Sequence, residues 1–314
     1  MIGFALKRVL AAIPTVLLVS VAVFLLIRAI PGDPAEIMLG EGADPASLAT
    51  FRSELGLDRP LPLQFFLWAG HVLQGDLGQS IFLHQPVGSL VWQRLLLSAS
   101  IILLAVGIAA AIAVVAGQFA AWRQNKPSDL AVVAAATVGL SLPSFWIGLL
   151  LLLVFGIKLG WLPVVGYVSF SDDPGRSWQY LVLPVATLVI VEVGVLTRMA
   201  RASAVEVLRL EYITHARAKG LSERAVLLRH ALPNAFAPTL TMVGIVIGSL
   251  LGGIAVVETV FTLPGLGRLI VEAIYARDYP VIQGCLLVIA VAYVLVNLIV
   301  DLLYPVFDPR VTLE

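Results

Sequence analysis

Charge is scarce in this 314-residue chain: 13% of its residues are Asp, Glu, Lys or Arg, where a soluble domain carries roughly a quarter. The twenty basic residues balance the twenty acidic ones, so no basic surface points to nucleic acid as a partner. A single cysteine, Cys285, excludes an intrachain disulfide and a four-thiolate metal site. Inside its apolar run this thiol reads as a small packing residue. The four histidines, His71, His84, His215 and His230, are scattered, and no H-E-x-x-H occurs, so no metal site is expected. The phosphate-cradling pattern G-x-x-x-x-G-K-[ST] is also missing, so the chain binds no ATP of its own by that motif and needs no cofactor. With no catalytic constellation in view, the expectation is a protein that is not an enzyme by itself. What the chain has in abundance is apolar: 60% of residues are hydrophobic and the mean hydropathy is +0.98. That excludes a water-soluble globule and a disordered tail and leaves an all-α polytopic membrane protein.

A membrane helix needs about 20 mostly apolar residues to cross a hydrocarbon core about 30 Å thick. Six windows meet this, predicting six transmembrane helices over Val9–Ile30, Ser98–Trp122, Leu130–Ile157, Tyr180–Thr197, Pro238–Val257 and Val281–Tyr304. The first follows Lys7 and Arg8 but is too long for a cleaved signal, and Arg28 stands where a cleavage site would fall, so it reads as a retained anchor. The loop after the fourth window is dense in Arg201, Arg209, Arg217, Lys219, Arg224 and Arg229. Lys and Arg mark the cytoplasmic side, which places both termini in the cytoplasm. The expected organisation is an N-terminal segment with helix 1 over 1–30, an extracytoplasmic region over 31–97, a core of helices 2–6 over 98–304 with a cytoplasmic loop at 201–237, and a tail over 305–314.

Residues 31–97 are too many for an irregular loop. Ser47–Leu55 and Leu63–Leu73 have helical spacing, and GDLG at 75–78 reads as a turn. Leu269–Ala276 reads as a short amphipathic helix at the membrane.

The stretch from Arg201 to Asn234 is the most informative. Ala204, Leu208, Ile213 and Ala216 recur at helical spacing and predict one helix, which Gly220 ends. Ser222 is placed to cap a second short helix over Glu223–His230, and Pro233 is expected to break it before the fifth span. The result is two helices joined at a glycine elbow with an exposed basic tip.

That elbow, THARAKGLSERAVLLRHALP at 214–233, resembles the "EAA" loop of ABC importer permeases. Ala216, Gly220, Leu232 and Pro233 fall in register, while Thr214, His215 and His230 depart from the general pattern. The departures themselves are similar to the subfamily that imports dipeptides, oligopeptides and nickel. So are PGDP at 31–34, LGLDRPLPLQF at 55–65, GDLGQS at 75–80, SLPSFW at 141–146, RDYPVIQG at 277–284 and NLIVDLLYPVFDPR at 297–310. The resemblance implies a type I ABC importer permease in a bacterial inner membrane. It further implies a second homologous permease as heterodimeric partner, two ABC ATPase subunits that bind the ATP, and an extracytoplasmic substrate-binding protein. The ATPase would be met through Ala216, Lys219, Gly220, Leu221, Ser222, Glu223, Arg224, Leu232 and Pro233.

Small residues at helix contacts let membrane helices approach or slide. Gly244, Gly248 and Gly252 form such a face on the fifth span, as candidates for packing or for lining a pore, and Gly107 and Ala111 do so on the second. Glu192 is the one clear charge inside a span. A pairing with Arg198 or Arg201 is expected of it ahead of a substrate contact. Asp301 reads as an anchor near the end of the last span. The alternative function, a self-sufficient secondary transporter or channel, calls for internal repeats and polar groups at the midplane; the two halves share no such pattern. An intramembrane enzyme is disfavoured because Ser141 and Ser144 have no histidine in any span to activate them.

Overall fold

A computed structural model describes residues 2–29, 36, 39, 44–54 and 56–307. The described residues form helices and turns, with one isolated bridge between Gln79 and Pro86. The PGDP stretch, Leu55 and the tail beyond 307 lie outside the described residues.

Long apolar helices make the frame: α1 (Ile2–Ala29), then the shorter α2 (Pro45–Glu54) and α3 (Leu61–Leu73), then α4 (Val87–Trp122). α5 (Pro127–Ser141) and α6 (Ser144–Leu151) follow, the latter running on as a wider π-helical turn over Leu152–Lys158. After α7 (Pro174–Leu208) come α8 (Glu211–Ala218) and α9 (Glu223–Gly253). The short α10 (Ala255–Val260) and α11 (Leu266–Tyr275) lead into α12 (Tyr279–Phe307). Among the described residues, α1, α4, α7, α9 and α12 are each long and apolar enough to cross a membrane. α4 starts well ahead of Ser98, and α7 runs beyond both ends of the expected fourth span.

The third expected span is not one straight helix. α5 and α6 meet at 95°, so the span count is six only if the bent pair is one crossing. The cause is Pro143, which lacks an N–H and pushes the residue before it into an extended conformation. Leu142 has φ −92° and ψ 130°, and the helix restarts with Trp146 N–H donating to the Pro143 carbonyl at 3.0 Å.

Lipid tails are as apolar as leucine, so helices within lipid associate through close fit. α4 and α7 meet along a stripe of small residues, Ala105, Ala109, Ala113 and Gly117, all buried. A Cβ at Gly117 would fall 2.7 Å from the Ala200 Cβ and 2.8 Å from the Arg201 amide nitrogen. Gly107 and Ala111 are instead exposed: two residues along a helix is about 200° of rotation, which turns them away from the seam. α5 approaches α7 the same way, because a Cβ at Gly194 would lie 2.5 Å from the Ala136 carbonyl oxygen.

Four polar ties fix the ends of the bundle. Asp129, at the start of α5, accepts two hydrogen bonds from the Arg201 guanidinium on α7, both 2.6 Å, and a third from the Asn125 amide at 3.0 Å. Arg8 pairs with Asp301 at 3.1 Å and joins α1 to α12. At the other end of the bundle Asp278, buried before α12, accepts from the Ser80 hydroxyl and the Phe82 amide. This joins the GDLGQS and RDYPVIQG stretches in space. The fourth tie is Glu258, fully buried on α10. It accepts from the Ser98 hydroxyl and from the Arg268 amide at 2.8 Å, while Ser98 in turn accepts from the Leu266 amide. Burial pushes the Glu258 carboxyl above the ordinary carboxylate range, against the pull of Ser98, the Arg268 and Gly267 amides and the charge of Arg94. Its oxygens occupy the space where a side chain on Gly265 would go.

Two substitutions follow from this packing. Gly117→Val should destabilise the purified protein by about 1–3 kcal/mol in detergent unfolding through overpacking, while Gly107→Val should stay within about 0.5 kcal/mol as a surface change. Gly265→Ala should expel the Glu258 carboxylate and speed hydrogen exchange over Leu266–Tyr275, with α12 unaffected.

Candidate functional site

The elbow is built from α8, the turn at Lys219–Ser222 and the first turns of α9. α7 ends at Leu208, and Leu210 is extended (ψ 147°), so α8 starts a new direction. The single helix expected across Ala204 to Ala216 is therefore two. The apolar residues that suggested it still meet: Ala204 on α7 and Ile213 and Ala216 on α8 join Val207, Val226, Ala231, Ala235 and Ala121 in one buried cluster, with Leu208 packed against it. Helical spacing could not distinguish one face of a continuous helix from two helices folded onto a common core.

Gly220 has φ +78°, a left-handed conformation that a side chain with a Cβ adopts only at a cost. Its Lys219 and Gly220 amides close the end of α8 onto His215 and Arg217. Ser222 then starts α9 by accepting from the Ala225 amide. Arg217 and Glu223 brace the two arms through paired hydrogen bonds of 2.8 and 3.2 Å.

Pro233 does not break the second helix. α9 begins as an α-helix over Glu223–Ala225, widens to π-helical over Val226–Ala231, and resumes as α from Leu232, with Pro233 in its first turn. A proline without an N–H is tolerated in a first turn, and the wide turn before it takes up the break in the ladder. The lower arm of the elbow is thus continuous with a membrane-length helix.

The residues expected to meet an ATPase divide by exposure. Lys219, Gly220, Leu221, Ser222 and Arg224 form the exposed tip, and Glu223 is half-buried against Arg217. Ala216 is buried as an anchor, Leu232 is half-buried, and Pro233 is exposed on the α9 shaft.

Above the elbow a cleft of about 580 Å³ lies among α5, α7 and α9, lined by Leu140, Arg198, Met199 and Met242. Glu192 is buried on α7 and makes no hydrogen bond or ion pair with a described residue. Neither expected pairing forms: Arg198 and Arg201, six and nine residues on, are turned about 600° and 900° along the helix, away from the face of Glu192 and, for Arg201, onto the opposite one. Arg201 is spent on Asp129 instead. The glycines of α9 also sort themselves. Side chains on Gly244 and Gly248 would collide with Val300 and Tyr293 of α12, whereas Gly252 has nothing within 4 Å and borders a groove between α1 and α12.

Sequence reasoning missed Asp129, Glu258 and Asp278. Asp129 had a signal: a lone acid at a span boundary, at the end of the bundle where the arginines gather. Glu258 had none, because its partner Ser98 lies far away in sequence; Asp278 and its partner Ser80 each stood in a recognised motif, with nothing local to pair the two.

Residues 113–313 match the family of binding-protein-dependent transport system inner membrane components, and residues 1–101 match the N-terminal family of the same membrane components. The chain is 42% identical over 311 residues to a putative peptide transport system permease protein of Brucella suis biovar 1, covering 99% of each. It is 44% identical over 321 residues to the glutathione transport system permease protein GsiC of Salmonella paratyphi A, again covering 99% of each. Among solved structures, an amino acid ABC transporter with histidines aligns at a TM-score of 0.48 and 19% identity, over 71% of this chain and 94% of that one. This chain therefore belongs to the binding-protein-dependent transport system inner membrane components, the multi-pass permease subunits of ABC importers.

Proposed function

We propose that this permease forms half of the translocation path of an importer for peptides or a related small solute such as glutathione or a nickel complex, with the elbow facing the cytoplasm. The other half is a second, homologous permease. Two ATPase subunits sit below, each of the two elbows resting in one of them, and an extracytoplasmic binding protein delivers solute from above. The relatives' names support peptides and glutathione, while the nickel complex rests on the motif resemblance alone. The gathering of basic residues at the elbow supports the orientation, and the lack of a phosphate-loop motif in the chain supports an external motor.

The observation that carries this reading is the construction of the elbow. Its tip is exposed, its base is buried, and its lower arm runs without interruption into α9. A partner that grips the tip therefore moves a membrane helix along with it. Five residues of the tip and its brace, Lys219 to Glu223, are the proposed grip, and Arg224 extends it. The cleft among α5, α7 and α9, with Glu192 buried on α7, is the proposed flank of the path.

Replacement of Gly220 by Val tests the lever, since a β-branched residue resists the left-handed turn. In proteoliposomes holding the whole importer, uptake should fall at least about tenfold while ATP hydrolysis continues, a loss of about 1.4 kcal/mol of coupling. Wild-type uptake by this variant would contradict the lever. Glu223→Ala should change uptake less than about fivefold, because a half-exposed ion pair contributes only about 0–1 kcal/mol.

A further inference from the structure

At the end of the bundle away from the elbow, a cavity of about 1060 Å³ opens between α4, α7 and the segment that precedes α7. Its lining includes Arg94, Tyr167, Ser169 and Ser171; the two serine hydroxyls bond to each other, and that of Ser171 also to the Asp172 carboxylate. Arg94 is half-buried and has no ion pair or hydrogen bond with a described residue. The nearby carboxylate that feels its charge, Glu258, is already engaged by Ser98 and backbone amides. Arg94 is thus a cation lacking a direct anionic partner in the wall of a large cavity.

A second cavity of about 320 Å³ continues from the first along α4 and α7, and the two share Leu104, Trp178 and Leu181. Its remaining walls, Ile108, Val182, Val185, Ala186 and Val189, are wholly aliphatic. A chamber with one cation, Arg94, among polar and apolar side chains therefore leads into a greasy channel.

The depth of each part identifies the occupant. Arg94 and Arg123 flank 28 residues without a charge on α4. Their separation of 29 residues is about 43 Å of helix, which matches the roughly 40–45 Å of a bilayer with its headgroup layers. Arg94 accordingly stands at headgroup level. Ile108, fourteen residues on, is about 21 Å deeper, close to the midplane. The paired cavities run the length of one leaflet, cationic at the surface and aliphatic below.

We infer that these cavities form a binding site for one anionic phospholipid of the leaflet opposite the elbow, its phosphate on Arg94 beside Tyr167 and an acyl chain beside Ala186. A transported peptide fits less well, because the channel offers a peptide backbone no polar partner over its whole inner length. The inference needs only that α4 and α7 cross the bilayer, so it stands or falls separately from the lever.

The test uses the assembled importer, equilibrated in detergent with equal phosphatidylglycerol and phosphatidylcholine, with bound lipid measured by mass spectrometry. Wild type should retain phosphatidylglycerol in excess. Arg94→Gln should lower that preference about fivefold, the scale of one basic residue at a membrane surface, and Arg94→Lys should restore most of it. Ala186→Trp should reduce retention of both lipids by filling the channel, which keeps the inference testable should the Arg94 variants fail to fold. Equal retention of the two lipids by wild type, or a preference unmoved by Arg94→Gln, would overturn it. So would displacement by inorganic phosphate alone, which would mark a free-anion site, or by a transported peptide, which would mark a substrate subsite.

Discussion

Everything the elbow can do depends on how it is fastened to the bundle. Ile213 and Val226, one from each arm, are fully buried against Ala121, Ala204 and Ala235. These anchors are small or β-branched and come from four different helices, so the arms cannot shift without disturbing α4, α7 and α9 together. Interiors packed to this density transmit displacement and do not absorb it. An elbow joined only by its backbone would flex, and force on its tip would be lost in the turn.

The same logic runs up the bundle. The seam between α4 and α7 brings backbones together at Gly117, directly against Arg201 of the Asp129–Arg201 tie and one turn from Ala121 in the elbow's anchor cluster. Close fit and a partly buried, doubly bonded ion pair reinforce each other there, since low water content strengthens charge-assisted hydrogen bonds. At the far end Glu258 and Asp278 do the equivalent for the short helices and loops, each satisfying backbone amides that lipid could not. Between these two fastened ends lies α5–α6, whose bend at Pro143 replaces a straight crossing. Stiff seams and fixed ends, with one broken helix between, suit a body that moves as a few rigid parts.

Much of this was legible in the sequence because it obeys local rules. Apolar runs located the long helices, Gly220 and Ser222 marked the turn and cap of the elbow, and the spacing in 47–73 marked two helices ahead of α4. The failures share one cause: they depend on what faces what. Gly107 and Ala111 are as small as Ala109 and Gly117, and only the rotational phase of α4 tells the two stripes apart. Glu192 was assigned a partner by proximity in sequence, although helical geometry sets it opposite Arg201. Pro143 bends its helix while Pro233 does not, because the first falls mid-helix and the second falls in a first turn behind a π-helical stretch. Glu258 and Ser98 are 160 residues apart, beyond the reach of any local pattern.

The central claim is that the exposed tip of the elbow is held by a separate ATPase. Leu221 projects from that tip, and the native thiol, Cys285, is buried, so a Leu221→Cys variant offers a single reactive thiol. Cross-linking that introduced thiol in intact membranes with a short thiol-reactive reagent is the most direct measurement. The expected result is an adduct to the ATPase subunit, protected from reagents applied at the opposite face. Labelling of the introduced thiol by an impermeant reagent from that opposite face, with no ATPase adduct, would contradict the claim.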